Sequence, residues 1–160
     1  MEYANLKNAL ERPFPPNRLH WRVGATAKDK TSGIALAYLD ARDVKKRLDD
    51  VLGFDWQNRY TLSDNGLLIC EIGVRVNDEW IWRANGAGDT KVEAEKGRAS
   101  DAFKRAGTMW GIGTYLYSLR DKWMPLKPKG NSYELVGTPP LPEWATPEGY
   151  DKLISERKAA

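Results

Sequence analysis

The sequence predicts an α+β fold: an antiparallel β-sheet, built from a hairpin, a helix and a three-stranded meander, packed against a long C-terminal helix. Three observations predict it. Short apolar or alternating runs, "LHWRVGATA", "GIALAYL", "FDWQNRYTL", "LLICEIGVRV" and "EWIWRANGAG", have the length and period of strands. The stretches "KDKTSG", "SDNG" and "ND" between them have the composition of turns. Past residue 90 the period becomes helical: Val92, Ala99, Ala102, Phe103, Ala106, Trp110, Gly113 and Tyr117 fall on one side, with Lys104 roughly opposite and pointing away from the sheet.

Each element has its own local signal. Tyr3, Leu6 and Leu10 recur near helical spacing, and "RPFPPNR" ends that helix because three prolines cannot continue it. Leu19, Trp21 and Val23 alternate on one face of the first strand of the hairpin. In "DARDVKKRLDDVLG", Asp40 is a good N-cap, Val44, Leu48, Val51 and Leu52 form a stripe, and Gly53 ends the helix. Thr90 followed by Glu93 is a capping box that starts the long helix at about Asp89 or Thr90. After Trp123 come six of the nine prolines, so residues 125–160 read as a partly ordered wrapping segment beyond a 1–124 domain, with one short strand at Tyr133 to Val136 and a last helix from about Pro147.

Composition excludes several chemistries. With 160 residues the chain is expected to form one compact unit plus a tail. One cysteine, Cys70, and one histidine, His20, rule out an intrachain disulfide framework and a Cys/His zinc site within one chain. No apolar run reaches membrane-spanning length and no signal peptide opens the chain, so a cytoplasmic protein without membrane contact is expected. "EAEK" at 93–96 has the letters of a metal nuclease, but on a helix Glu93 and Glu95 project about 200° apart. "GAGD" lacks the lysine of a phosphate-binding loop, and His20 beside Trp21 reads as a structural or surface histidine. No catalytic residue, metal or cofactor is expected.

The net charge of +3 is small, so affinity for a polyanion must come from clustering. Lys91, Lys96, Arg98, Lys104 and Arg105 sit among Glu93, Glu95 and Asp101, and a solvated helix face with i,i+4 pairs would look much the same. On the helical wheel, however, Lys104 faces outward, Arg98 and Arg105 share one flank, and Lys96 lies on the other. A strip one helix wide of this kind can follow a sugar-phosphate backbone and leave base edges free.

At "KGRASDAFKRAGTMWGIGTYLYSL" the sequence closely resembles the RAD fifty-two (Rad twenty-two) family of single-strand annealing proteins, specifically its short bacteriophage members. The resemblance extends through "PFPPNRLHWRVG", "LAYLDARDVKKRLDDVLGFDWQ" and "GAGDTKVEAEKG", roughly residues 12–124. It implies ATP-independent annealing of single-stranded DNA in recombination and double-strand break repair, by a homo-oligomeric ring or filament with a basic groove and neither nucleotide nor metal. It also implies that Lys104 and Arg105 are the paired groove residues and that Lys96 is a further groove lysine. At the start of the earlier helix the family's basic position aligns with Asp43, and arginine stands one place before it, at Arg42. Phe54 matches an aromatic position after the helix glycine, and two readings apply to it: a core contact or a base-stacking ring. Trp56, Trp80 and Trp82 are assigned mainly to the core or to subunit contacts. Gly107, Gly111 and Gly113 are expected to let the far end of the helix approach the sheet or a neighbour closely.

Two other readings carry weight. "GAGDTKVEAEKGRASDAF" also resembles the last helix of double-stranded RNA-binding modules, which dock duplex without annealing. An assembly protein whose basic residues only solvate its surface is the third. The proline-rich segment is a candidate contact for a nuclease or a single-strand-binding protein.

Overall fold

The computed structural model describes residues 3–88 and 97–159. In chain order these form α1 (Tyr3–Glu11), β1 (His20–Thr26), β2 (Ser32–Tyr38), α2 (Ala41–Leu52), β3 (Trp56–Leu62), β4 (Leu68–Val76), β5 (Glu79–Ala87), α3 (Arg98–Met109), β6 (Trp123–Lys129), β7 (Ser132–Leu135) and α4 (Pro147–Ala159). Two compact units result: Met1–Glu11 with Asp40–Gly113, and Arg12–Leu39 with Thr114–Ala160. The strands form two antiparallel sheets, β3-β4-β5 in the first unit and β1-β2-β6-β7 in the second.

In the first unit the meander joins through turns of the expected composition. Asn77 and Asp78 both have positive φ, the conformation that a two-residue hairpin loop between twisted strands requires. Period-2 alternation sends Cys70, Ile72 and Val74 of β4 to the inner face, where all three are fully buried. Ala102, Phe103 and Ala106 of α3 pack in that core with Val44 and Leu48 of α2. The Trp110 indole N–H donates to the Ile72 carbonyl at 3.0 Å, which satisfies a buried donor at the end of the helix.

The capping box and the expected helix start at Asp89 or Thr90 lie outside the described residues. At its other end α3 stops at Met109, short of the continuous helix to Tyr117 that periodicity predicts. Gly111 lies in the left-handed region at φ 88°, and the Ile112 N–H turns back to the Gly107 carbonyl at 3.1 Å, a glycine-based helix stop. A 3-10 turn, Thr114–Leu119, replaces the last helical turns and leaves Tyr117 exposed. Gly107 does serve close packing, but against a helix: a Cβ there would lie 2.7 Å from Cγ1 of Val44 on α2.

In the second unit β6 runs across position 124 and pairs with β2, Ile34 opposite Trp123, so residues beyond 125 share a sheet with the hairpin. The strand expected at Tyr133 to Val136 is β7, and the expected last helix is α4. Arg12 anchors α4 within this unit through two hydrogen bonds to the Asp151 carboxylate, at 2.8 and 2.7 Å.

Candidate nucleic-acid interface

Among the described residues, the predicted contacts Arg42, Phe54, Arg98, Lys104 and Arg105 fall in the first unit, on α2, on α3 or beside them. The inner side of α3 is held by Trp110 and by the Asn85 side chain, which donates to the Arg105 carbonyl at 3.4 Å. This fixes the rotation of the helix. Arg105 is exposed and its Nε donates to Asp101 at 2.9 Å, an i,i+4 pair on the solvent side. Lys104, next to it, is half-buried, so it is less exposed than its outward place on the helical wheel predicts.

Arg98 has a different setting. Its guanidinium donates to the Gly66 carbonyl in the β3–β4 turn at 3.2 Å and is half-buried, so it ties the start of α3 to the sheet. Lys96 lies outside the described residues. Arg42 is exposed in the first turn of α2, while Asp43 beside it is buried. Of the two positions, Arg42 is the side chain that reaches solvent.

Phe54 resolves the choice between its two readings in one respect. Its relative exposure is 102%, so it makes no core contact. It stands past the end of α2, and with 12 residues at a rise of about 1.5 Å each, α2 keeps Arg42 and Phe54 about 18 Å apart. The structure thus places basic residues on α3, Arg42 at one end of α2 and an exposed ring beyond the other. It does not gather them at one point.

Further cations on these elements escaped the sequence reading. Lys45 and Lys46 are exposed on α2 and pair with Asp49 and Asp50 at 2.5 and 2.7 Å. Lys45 also stands 5.9 Å over the ring of Trp56, whose indole N–H donates to Asp49. The Lys45 bond, with a smaller contribution from Trp56, holds the Asp49 carboxyl below its ordinary range. The "KK…DD" spacing at 45–50 was the available signal for these pairs.

The outer face of the meander carries a second group. Arg59 stacks 4.1 Å over Trp82 and ion-pairs with Glu71 at 2.6 Å, a bond that lowers the Glu71 pKa. Trp80 lies 6.2 Å from Trp82 and is exposed, so it is not a core residue of this chain. Cys70 is fully buried, and burial pushes its thiol up to about 11, which removes it as a nucleophile at neutral pH.

Comparison with known proteins adds to this geometry. A family model described as Rad52/22 family double-strand break repair protein matches residues 2–65 and 59–134. The single-stranded DNA-binding protein DdrA of Deinococcus deserti is 32% identical over 154 residues, spanning 92% of this chain and 73% of that protein. DdrA of Deinococcus radiodurans is 31% identical over 150 residues, spanning 92% of this chain and 71% of that protein. No solved structure matches the chain significantly. Among the described residues no helix is long and apolar enough to cross a membrane. On a match that runs from α1 through β7, the chain belongs to the Rad52/22 family of double-strand break repair proteins.

Proposed function

We propose that the protein binds single-stranded DNA along the solvent side of α3 and anneals complementary strands without ATP or metal, in recombination and double-strand break repair. The observation that carries this reading is the adjacent Lys104 and Arg105 on a helix whose other side is locked to the meander, in a chain related to proteins named for single-stranded DNA binding. Lysine and arginine neutralise phosphates, while base edges stay free to test pairing with a second strand. Base pairing then supplies the driving energy. Arg42 and Lys96 are further backbone contacts in this reading, Arg98 positions the helix, and Phe54 stacks on a base.

Oligomerisation into a ring or filament through the first 124 residues extends the groove from one copy to the next. The segment from 125 is the side open to a nuclease or a single-strand-binding protein. A bacteriophage source and action in the host cytoplasm belong to the same reading, carried by the motif resemblance.

Annealing of two labelled complementary DNA strands in chelator without ATP tests it, with Lys104→Ala/Arg105→Ala alongside. The protein should accelerate pairing and the folded variant should not. Each phosphate contact on a single strand contributes about 0.7 to the slope of log K against log salt, so the double variant should lower that slope by about 1.4. Duplex binding without acceleration would replace this reading with a duplex-docking module.

A further inference from the structure

The second unit holds a surface that the α3 reading does not use. In its sheet, His20 pairs with Tyr38 and Arg22 with Leu36 across β1 and β2, and Ile34 pairs with Trp123 across β2 and β6. Directly paired residues share a face, so these six side chains lie on one side of the sheet. The other side is the interior of the unit: Ala35 is fully buried, and Val23 and Leu126 close over Gly33. The first side is open. Trp123 is 53% exposed, Tyr38 36%, and His20 and Arg22 are exposed as well.

The face has the parts of a base-stacking platform. The His20 and Tyr38 rings stack on each other at 5.3 Å. Tyr38 is four residues along β2 from the partner of Trp123, which separates the two aromatic positions by about 13 Å, with Ile34 and Leu36 as an apolar floor between them. Arg22 stands beside Leu36 and makes no ion pair among the described residues. Farther along β6, Lys127 and Lys129 share one carboxylate, Glu134, at 3.0 and 2.8 Å, which leaves that end positive.

Charge selects the occupant. The second unit has 12 basic and 7 acidic residues, a net charge of +5, and residues 12–39 carry five basic side chains against Asp29 alone. Two such faces meeting face to face would oppose positive with positive, and a head-to-tail contact between copies is the alternative that the sedimentation measurement tests. A polyanion with flat apolar rings complements the face instead.

We propose that the exposed face of the β1-β2-β6-β7 sheet, through Trp123, Tyr38 and Arg22, binds single-stranded nucleic acid by base stacking. It is a contact surface separate from α3. Stacking tolerates any base, because each has a π face, while Arg22 and the lysines hold the backbone. The surface therefore holds a strand through its bases, whereas the α3 reading holds a strand through its phosphates.

Arg22→Ala/Trp123→Ala and Lys104→Ala/Arg105→Ala, each checked for folding by circular dichroism, are titrated with a labelled 30-nucleotide oligo(dT) and with an abasic spacer of equal length. Loss of one stacked base should weaken oligo(dT) binding about fivefold or more. Binding of the abasic spacer should fall much less, and the salt slope should drop by about 0.7 for Arg22. Ultraviolet crosslinking of a 5-iodouracil oligonucleotide should label Trp123 or Tyr38 in the unaltered protein. If the double variant misfolds, Arg22→Gln alone tests the slope and the crosslink map stands without any variant.

Unchanged affinity together with crosslinks confined to α3 or Phe54 would overturn the proposal and leave the α3 reading intact. Loss of binding in Arg22→Ala/Trp123→Ala alone, with Lys104→Ala/Arg105→Ala unaffected, would overturn the α3 reading and keep this one. A changed sedimentation coefficient without any change in oligonucleotide affinity would make the face a contact between copies, and no binding by the unaltered protein would overturn both.

Discussion

The two units of this chain have opposite charge balances. The first, with α3 and the paired Lys104 and Arg105, holds 13 basic and 15 acidic residues, while the second holds 12 and 7. The unit that carries Lys104 and Arg105 is thus the acidic one. On the α3 reading, a unit with a net negative charge can still carry an anion-binding strip, because the arrangement of its charges counts as well as their sum. In the first unit cations and carboxylates alternate along helix faces and across strands: Lys45 with Asp49, Lys46 with Asp50, Arg59 with Glu71, Arg75 with Asp55, and Arg105 with Asp101. Such exposed pairs contribute little to stability, because solvent and salt screen them. The second unit has fewer acids for its cations to pair with.

The cores differ as well. The first unit closes by a helix crossing a meander, with one large indole as the joint. Trp110→Ala should therefore be the most damaging substitution, at about 3–5 kcal/mol, because it leaves a cavity and also removes the buried bond to the Ile72 carbonyl. A urea titration would show a lower midpoint, and an unchanged midpoint would mean that α3 is not held to the meander through this residue.

Phe54 sharpens the contrast between core and contact aromatics in that same unit. Because the ring is fully exposed, Phe54→Ala should leave the urea midpoint nearly unchanged, within about 0.5 kcal/mol. Binding to oligo(dT) should weaken by about 1–3 kcal/mol if the ring stacks on a base. A stability loss without a binding loss would show that Phe54 serves packing.

The smallest expected effect concerns charge exchange on α3. Asp101→Asn removes the pair with Arg105 and should cost about 0.2–0.5 kcal/mol of stability. Single-strand affinity should rise, because Arg105 no longer leaves a carboxylate to reach a phosphate. Equal or weaker affinity would place Arg105 outside the contact.

Much of this was legible in advance. Every strand and helix among the described residues from α1 to β5 has a local cause: alternation in β4, the Val44 and Leu48 stripe in α2, positive φ at Asn77 and Asp78. Strand β6 was missed because "WMPLKPK" contains two prolines, and only its position beside β2 makes it a strand. The end of α3 was misplaced because apolar periodicity continues through Trp110, Gly113 and Tyr117 after the backbone has already turned at Gly111. At the candidate site the adjacency of Lys104 and Arg105 could be read directly. The anchoring of Arg98 on the Gly66 carbonyl could not, since that bond joins residues 32 apart in sequence.

The sequence by itself determined the order and type of most elements and the positions of the basic pair, because these depend on residues within a few places of one another. Only the tertiary structure decided which side chains are spent on packing and which are left to solvent. Arg98 is held and Arg105 is outward, Asp43 is buried and Arg42 exposed, and Trp110 is core while Phe54 and Trp123 are not. The physical reason is that exposure and pairing are set by contacts between distant segments, through burial of apolar area and satisfaction of buried donors, and neither leaves a mark in the local pattern of the chain.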